Sequence, residues 1–152
     1  MVYYIGMDSK RNNKASKMSK RDNKNWQGMN WIRQDKRLAI YLRDGMACMW
    51  CGATVEDGAT LSLDHIKPAS QGGSNSERNL VCSCMTCNTR RSDRDATVWA
   101  EIVAAHCNHG LTGEAIMAAV RSNTRKSLKE YRIEAKQLIA RRGSAAKAIA
   151  AK

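Results

Sequence analysis

The residues whose types and spacing could do chemistry lie between Cys48 and Asn88. Cys48-Met49-Trp50-Cys51-Gly52 and Cys84-Met85-Thr86-Cys87-Asn88 bracket Leu63-Asp64-His65-Ile66 and Asn79-Leu80-Val81. Two Cys-x-x-Cys pairs can close a tetrahedral all-thiolate site, which favours zinc, with iron as the competitor. Four protein ligands leave no open position, so such a metal folds the segment and does not react. Asp64 and His65 are a different pair, a carboxylate for a hard cation and a base suited to neutral pH. Beside a bound cation they could activate water against a phosphodiester. Adjacent strand residues point to opposite faces, so these two serve one site only if the strand ends or bends there. Pro68 and Gly72-Gly73 allow that. Alone, an Asp-His pair is more ordinarily a strand-end ion pair; the bracketing cysteines and asparagines change that balance.

The elements that must position these residues are short. From Trp31 to Arg43, the spacing of Leu38, Tyr41 and Leu42 predicts a helix, which Gly45 can end in a left-handed cap. Cys48 to Gly52 reads as a tight knuckle and Thr60 to Leu63 as a strand. Residues 68–76 read as a loop, and Asn79 to Cys82 as a second strand leading into a helix from about Cys84. Further on, Asp95 can cap a helix with the apolar face Val98, Trp99, Ile102 and Val103, stopped by Gly110. Thr112 is a further N-cap, with Leu111 and Ile116 spaced as a hydrophobic staple. The helix-prone remainder runs to about Arg142, with an interruption expected at Ser122-Asn123-Thr124. Leu128, Tyr131, Ala135 and Leu138 share one stripe, read first as packing surface and second as a homodimer seam or a DNA-gripping extension. Cys82 reads as a small core residue, and His106, Cys107 and His109 as helix-end and surface residues.

Composition narrows the partners. The 152-residue chain carries a net charge of +12, and that charge is not evenly spread. Residues 1–37 hold ten Lys/Arg against three Asp/Glu, net +7; residues 38–120 hold six against nine, net −3; residues 121–152 hold ten against two, net +8. The segment with the chemistry is therefore acidic, and the flanks are the basic part, as expected of tails that meet nucleic-acid phosphates. Residues 8–25 are almost free of apolar side chains and read as part of a disordered basic arm. No apolar run approaches the roughly 18 residues of a membrane span, and no signal peptide is visible. A cytoplasmic protein is expected, where cysteines serve as metal ligands or free thiols more often than disulfides.

On these motifs the chain resembles the HNH endonuclease family from about Leu38 to Arg91. The carrying residues are Arg43-Asp44-Gly45, Cys48-x-x-Cys51-Gly52, Leu63-Asp64-His65-Ile66-x-Pro68, Gly72-Gly73-Ser74, Asn79-Leu80-Val81 and Cys84-x-x-Cys87-Asn88. The resemblance implies a small zinc-stapled ββα-metal core; with the elements and charge read above, the expected fold is α+β, with that core over 31–94, a helical C-terminal extension (95–142), a basic N-terminal arm (1–30) and a flexible basic tail (143–152). It implies that His65 is the general base, that Asp64 and Asn88 bind a catalytic divalent cation, and that Asn79 orients the base. Asn88 stands where many members have His, which favours magnesium or manganese there. Lys67, Arg78, Arg90, Arg91 and Arg94 surround the site and are expected to meet phosphates of duplex DNA. The function implied is cation-dependent DNA hydrolysis, in a protein resembling phage- or mobile-element-encoded nucleases. The rivals are a zinc-dependent DNA-binding module without cleavage and a nuclease directed at RNA.

Overall fold

The computed structural model describes residues 31–107 and 109–150. The arm expected over residues 1–30 lies outside the described residues. The chain is α+β, with five α-helices and one two-stranded sheet among the described residues. Strands β1 (Leu61–His65) and β2 (Leu80–Cys84) pair antiparallel, with Leu61 opposite Cys84, Leu63 opposite Cys82 and His65 opposite Leu80. Both run further than their alternation predicts, β1 to His65 and β2 to Cys84.

A lone hairpin is marginal in water, and this one is covered on both faces, which is why every residue of β2 is buried. On one face Leu63 and Leu80 join Ile32, Ala39, Ile40, Leu128 and Ala135, from helices α1 (Gln34–Arg43) and α5 (Lys129–Ala150) and their entry segments. On the other, Val81 joins Trp50, Trp99, Val103, Ile116 and Val120. These come from the knuckle and from helices α3 (Ala96–His106) and α4 (Gly113–Arg125). Helix α2 (Met85–Arg91) follows β2 directly.

Buried charge fixes the end of α1 to the hairpin. Arg43 Nε lies 2.7 Å from Asp44 Oδ1, and its two Nη atoms donate to the carbonyls of Glu77 (2.8 Å) and Leu80 (2.7 Å). Asp44 Oδ2 in turn accepts from the backbone N–H of Cys82 at 2.8 Å. All the polar atoms find partners, the condition under which a buried pair is tolerated.

Asp95 and Thr112 cap α3 and α4 as their types predict, accepting from Thr97 and Val98 and from Ala115. Elsewhere local pattern and packing diverge. Helix α1 begins at Gln34, leaving Trp31 and Ile32 in the entry. On α3 the buried stripe is Ala96, Trp99, Ala100 and Val103, so Val98, one residue off that helical row, is 53 % exposed. Leu111 stays 52 % exposed while Ile116 is in the core. Helix α4 runs through Ser122–Thr124 because Thr124 Oγ1 donates back to the Val120 carbonyl at 3.0 Å, absorbing the hydroxyl within the helix. The break comes instead between Arg125 and Lys129. Leu128 and Tyr131 pack within the chain beside α1, and α5 continues through Gly143 to Ala150. Among the described residues no helix is long and apolar enough to cross a membrane.

Candidate active site and metal centre

The two knuckles meet. The Sγ atoms of Cys48, Cys51, Cys84 and Cys87 lie within 4.8 Å of one another, and those of Cys51 and Cys84 are 3.8 Å apart. A tetrahedral zinc with bonds of about 2.3 Å needs sulfurs about 3.8 Å apart, so the four thiols fit zinc. The first knuckle closes through Gly52, whose φ of +77° suits glycine, and its Met49 N–H donates to Cys82 O at 2.9 Å. Cys84 ends β2 and caps α2, its Sγ accepting from Cys87 N at 3.3 Å. Four sulfurs this close cannot all ionise unaided. Hydrogen bonding from Cys87 pulls the Cys48 thiol down to about 4, while burial pushes Cys51 up to about 12. A central dication held by Cys48, Cys51, Cys84 and Cys87 would stabilise all four thiolates together.

Asp64 and His65 do point to opposite faces of β1. Asp64 faces α2 and the knuckle: Trp50 Nε1 donates to Oδ2 at 2.9 Å, and Arg91 Nη1 lies 2.9 Å from Oδ1. Burial raises the Asp64 pKa, against the opposing pull of Arg91. His65 faces α1, where Trp31 stacks on its ring with centroids 5.1 Å apart at 28°. Asn75 Oδ1 lies 2.8 Å from His65 Nε2. An amide oxygen only accepts, so this bond puts the neutral ring's proton on Nε2 and its lone pair on Nδ1. At the end of β1 both residues nevertheless border one cleft of about 300 Å³, together with Asn88 and with Ser92 and Asp93 after α2.

Asn88, on α2, donates through Nδ2 to Ser62 Oγ and to Leu63 O, both at 3.1 Å. The amide atom left for a ligand is Oδ1. Asn79 clasps the loop that leaves β1: Oδ1 accepts from Lys67 N at 2.9 Å, and Nδ2 donates to Lys67 O and Ser74 O. Gly73 permits this fold-back, since a Cβ there would sit 1.8 Å from Lys67 O. Asn79 thus holds the backbone around the site, and the side chain on the imidazole is that of Asn75.

The arginines divide. Lys67, Arg78 and Arg90 are exposed. Arg91, expected to meet phosphate, is fully buried instead. Its guanidinium bonds Asp64, His65 O at 2.5 Å, Ile66 O at 2.6 Å and Arg94 O at 3.1 Å, and lies 5.3 Å from the Trp50 ring centre. A phosphate cannot reach it. Arg94 remains exposed, with Nη1 bonding the Arg90 and Arg91 carbonyls at the end of α2. Asn75, Trp50 and Trp31 were not among the residues that spacing picks out. Asn75 sits in a polar loop without periodicity, and Trp50 reads as a knuckle spacer.

A family model described as "HNH endonuclease" matches residues 48–94. The chain is 42 % identical over 66 residues to a CRISPR-associated endonuclease Cas9 of Actinomyces naeslundii, covering 43 % of this chain and 6 % of that one. It is 30 % identical over 79 residues to a Cas9 of Corynebacterium diphtheriae, covering 51 % of this chain and 7 % of that relative. The likeness is therefore to a small part of much longer proteins. No solved structure matches the chain. With its four clustered thiols and a strand ending in Asp64-His65, the segment from residue 48 to residue 94 is an HNH endonuclease domain.

Proposed function

We propose that the chain is a divalent-cation-dependent DNA endonuclease of phage or mobile-element origin, acting in the cytoplasm. The observation that carries this reading is the single cleft onto which Asp64, His65 and Asn88 all open. Asp64 and the Asn88 amide oxygen would hold magnesium or manganese. Each Asp64 oxygen accepts one bond from the protein and keeps a lone pair for a ligand. When bound, the cation supplies charge neutralisation at the scissile phosphate and the departing 3′ oxygen. His65, with its Nε2 proton directed to Asn75, takes the proton of the attacking water on Nδ1. Arg91 and Asn79 keep the backbone from His65 to Lys67 in place. Cleavage leaves 5′-phosphate and 3′-hydroxyl ends. Lys67, Arg78 and Arg90 are exposed for phosphates near the site.

The test is plasmid incubated with the zinc-loaded protein, with and without added magnesium or manganese, alongside His65→Ala and structured RNA. Nicking or linearisation that needs the cation, and a loss of at least 100-fold in His65→Ala at unchanged fold and DNA affinity, is expected. DNA bound but never cut under any divalent cation would leave a binding module; cutting confined to RNA would leave an RNA nuclease.

A further inference from the structure

A second groove, of about 560 Å³, lies between α1 and the first two turns of α5. Lys36, Lys129, Arg132 and Lys136 line it, with Glu77 and Ser127. Its charge balance is positive. Glu77 meets Lys36 at 3.7 Å, and Arg132 is matched by Asp35 at 2.8 Å. Among the described residues the ammonium groups of Lys129 and Lys136 enter no hydrogen bond or close ion pair, and both residues are exposed. Lys129, Arg132 and Lys136 fall on one helix face. Seven residues at about 1.5 Å each set the outer two about 10 Å apart along α5. That is roughly three of the 3.4 Å steps of one duplex strand.

The groove connects to the cleft through two hydrogen bonds. Lys36 Nζ donates to Asn75 O at 2.7 Å, and Asn75 Oδ1 lies 2.8 Å from His65 Nε2. Asn75 thus touches both the groove's Lys36 and the imidazole of His65. Residues 38–120 carry net −3, so Lys67, Arg78 and Arg90 are outweighed there by acidic groups and further cations lie outside that segment. Helices α1 and α5 supply them beside the base.

We propose that this α1–α5 groove is the track for the phosphates flanking the cleaved bond, with Lys129 and Lys136 as its principal contacts. That a bond is cleaved beside it rests on the nuclease reading; that the groove takes nucleic-acid phosphates does not. Affinity of the full zinc-loaded chain for a labelled duplex is measured by fluorescence anisotropy across salt concentrations, without added magnesium or manganese. Each phosphate contact contributes about 0.9 to the slope of log K against log salt. Lys129→Gln/Lys136→Gln should flatten that slope by about 1.8 and lower affinity tens-fold near 0.1 M salt, with Lys129→Arg/Lys136→Arg close to the parent. An unchanged slope would overturn the track. So would equal flattening by the charge-matched Arg121→Gln/Arg125→Gln on α4, or a loss seen with structured RNA but not DNA. A parent that binds with this lysine-dependent slope yet never cuts overturns the nuclease reading alone. One that cuts with a lysine-independent slope overturns the track alone.

Discussion

Asp64 is held on both oxygens by neighbours that come from the segments carrying the four thiols, Trp50 from the first knuckle and Arg91 from α2. Removing one partner of a buried ion pair leaves an uncompensated charge, so Arg91→Met should cost about 3–5 kcal/mol in chemical denaturation. Trp50→Phe removes the N–H together with the five-membered ring of the indole; its expected cost is about 1–3 kcal/mol for the lost hydrogen bond plus a cavity contribution, with weaker manganese binding in an EPR titration. Unchanged stability and manganese affinity in Trp50→Phe would show that this bond holds nothing. Asp64 and Arg91 together bring no net charge to the cleft, so manganese should also bind more tightly once a DNA phosphate is present. At this scale the sequence made the ligand types legible. It did not show Asn75 on His65 or Arg91 beneath Asp64, because those pairs form across 10 residues of loop and 27 residues of hairpin and helix. Which polar atoms meet is decided by the closed backbone.

Helices α1 and α5 are joined across 97 residues by Arg132, whose Nε and Nη2 donate to Asp35 Oδ2. That hydrogen bond is the chief reason the Asp35 carboxyl lies below its usual range, with Arg33 and Lys136 adding to it. A depressed carboxylate stabilises the fold above its unfolded pKa of about 3.9, and the contribution is lost as pH falls through the lower folded value. Asp35→Asn should therefore melt lower than the parent at pH 7, by no more than about 1 kcal/mol because Arg132 is 41 % exposed. The gap should close progressively below about pH 4. A gap constant down to pH 2 would mean the carboxylate charge is not what joins the helices. Caps were readable at this scale because Asp95 and Thr112 act within their own turn. The ends of β1, β2 and α1 were not, since the second strand and the Arg43–Asp44 lock decide how far each element runs.

As a whole, the molecule is two layers of helix on a sheet too small to stand alone, with the thiol cluster part of one core. The α+β class and the meeting of the four thiols were legible from motif order, while the two-sided burial of the hairpin depends on α3–α5 folding back over it. Helix α2 has seven residues, below the length at which helices persist unaided in water. Zinc removal, with the thiols kept reduced, should lower the melting temperature sharply and erase near-ultraviolet signals from Trp50 and Trp99, and added zinc should restore both. Equal melting with and without zinc would show that the cluster is not structural. Cys84 ends a strand, starts the helix that carries Asn88 and Arg91, and is one of the four sulfurs. On the proposed function this has a consequence for the cell that makes the protein. A newly synthesised chain cannot attack the DNA around it until it has acquired zinc, so metal supply sets the moment at which the nuclease becomes dangerous.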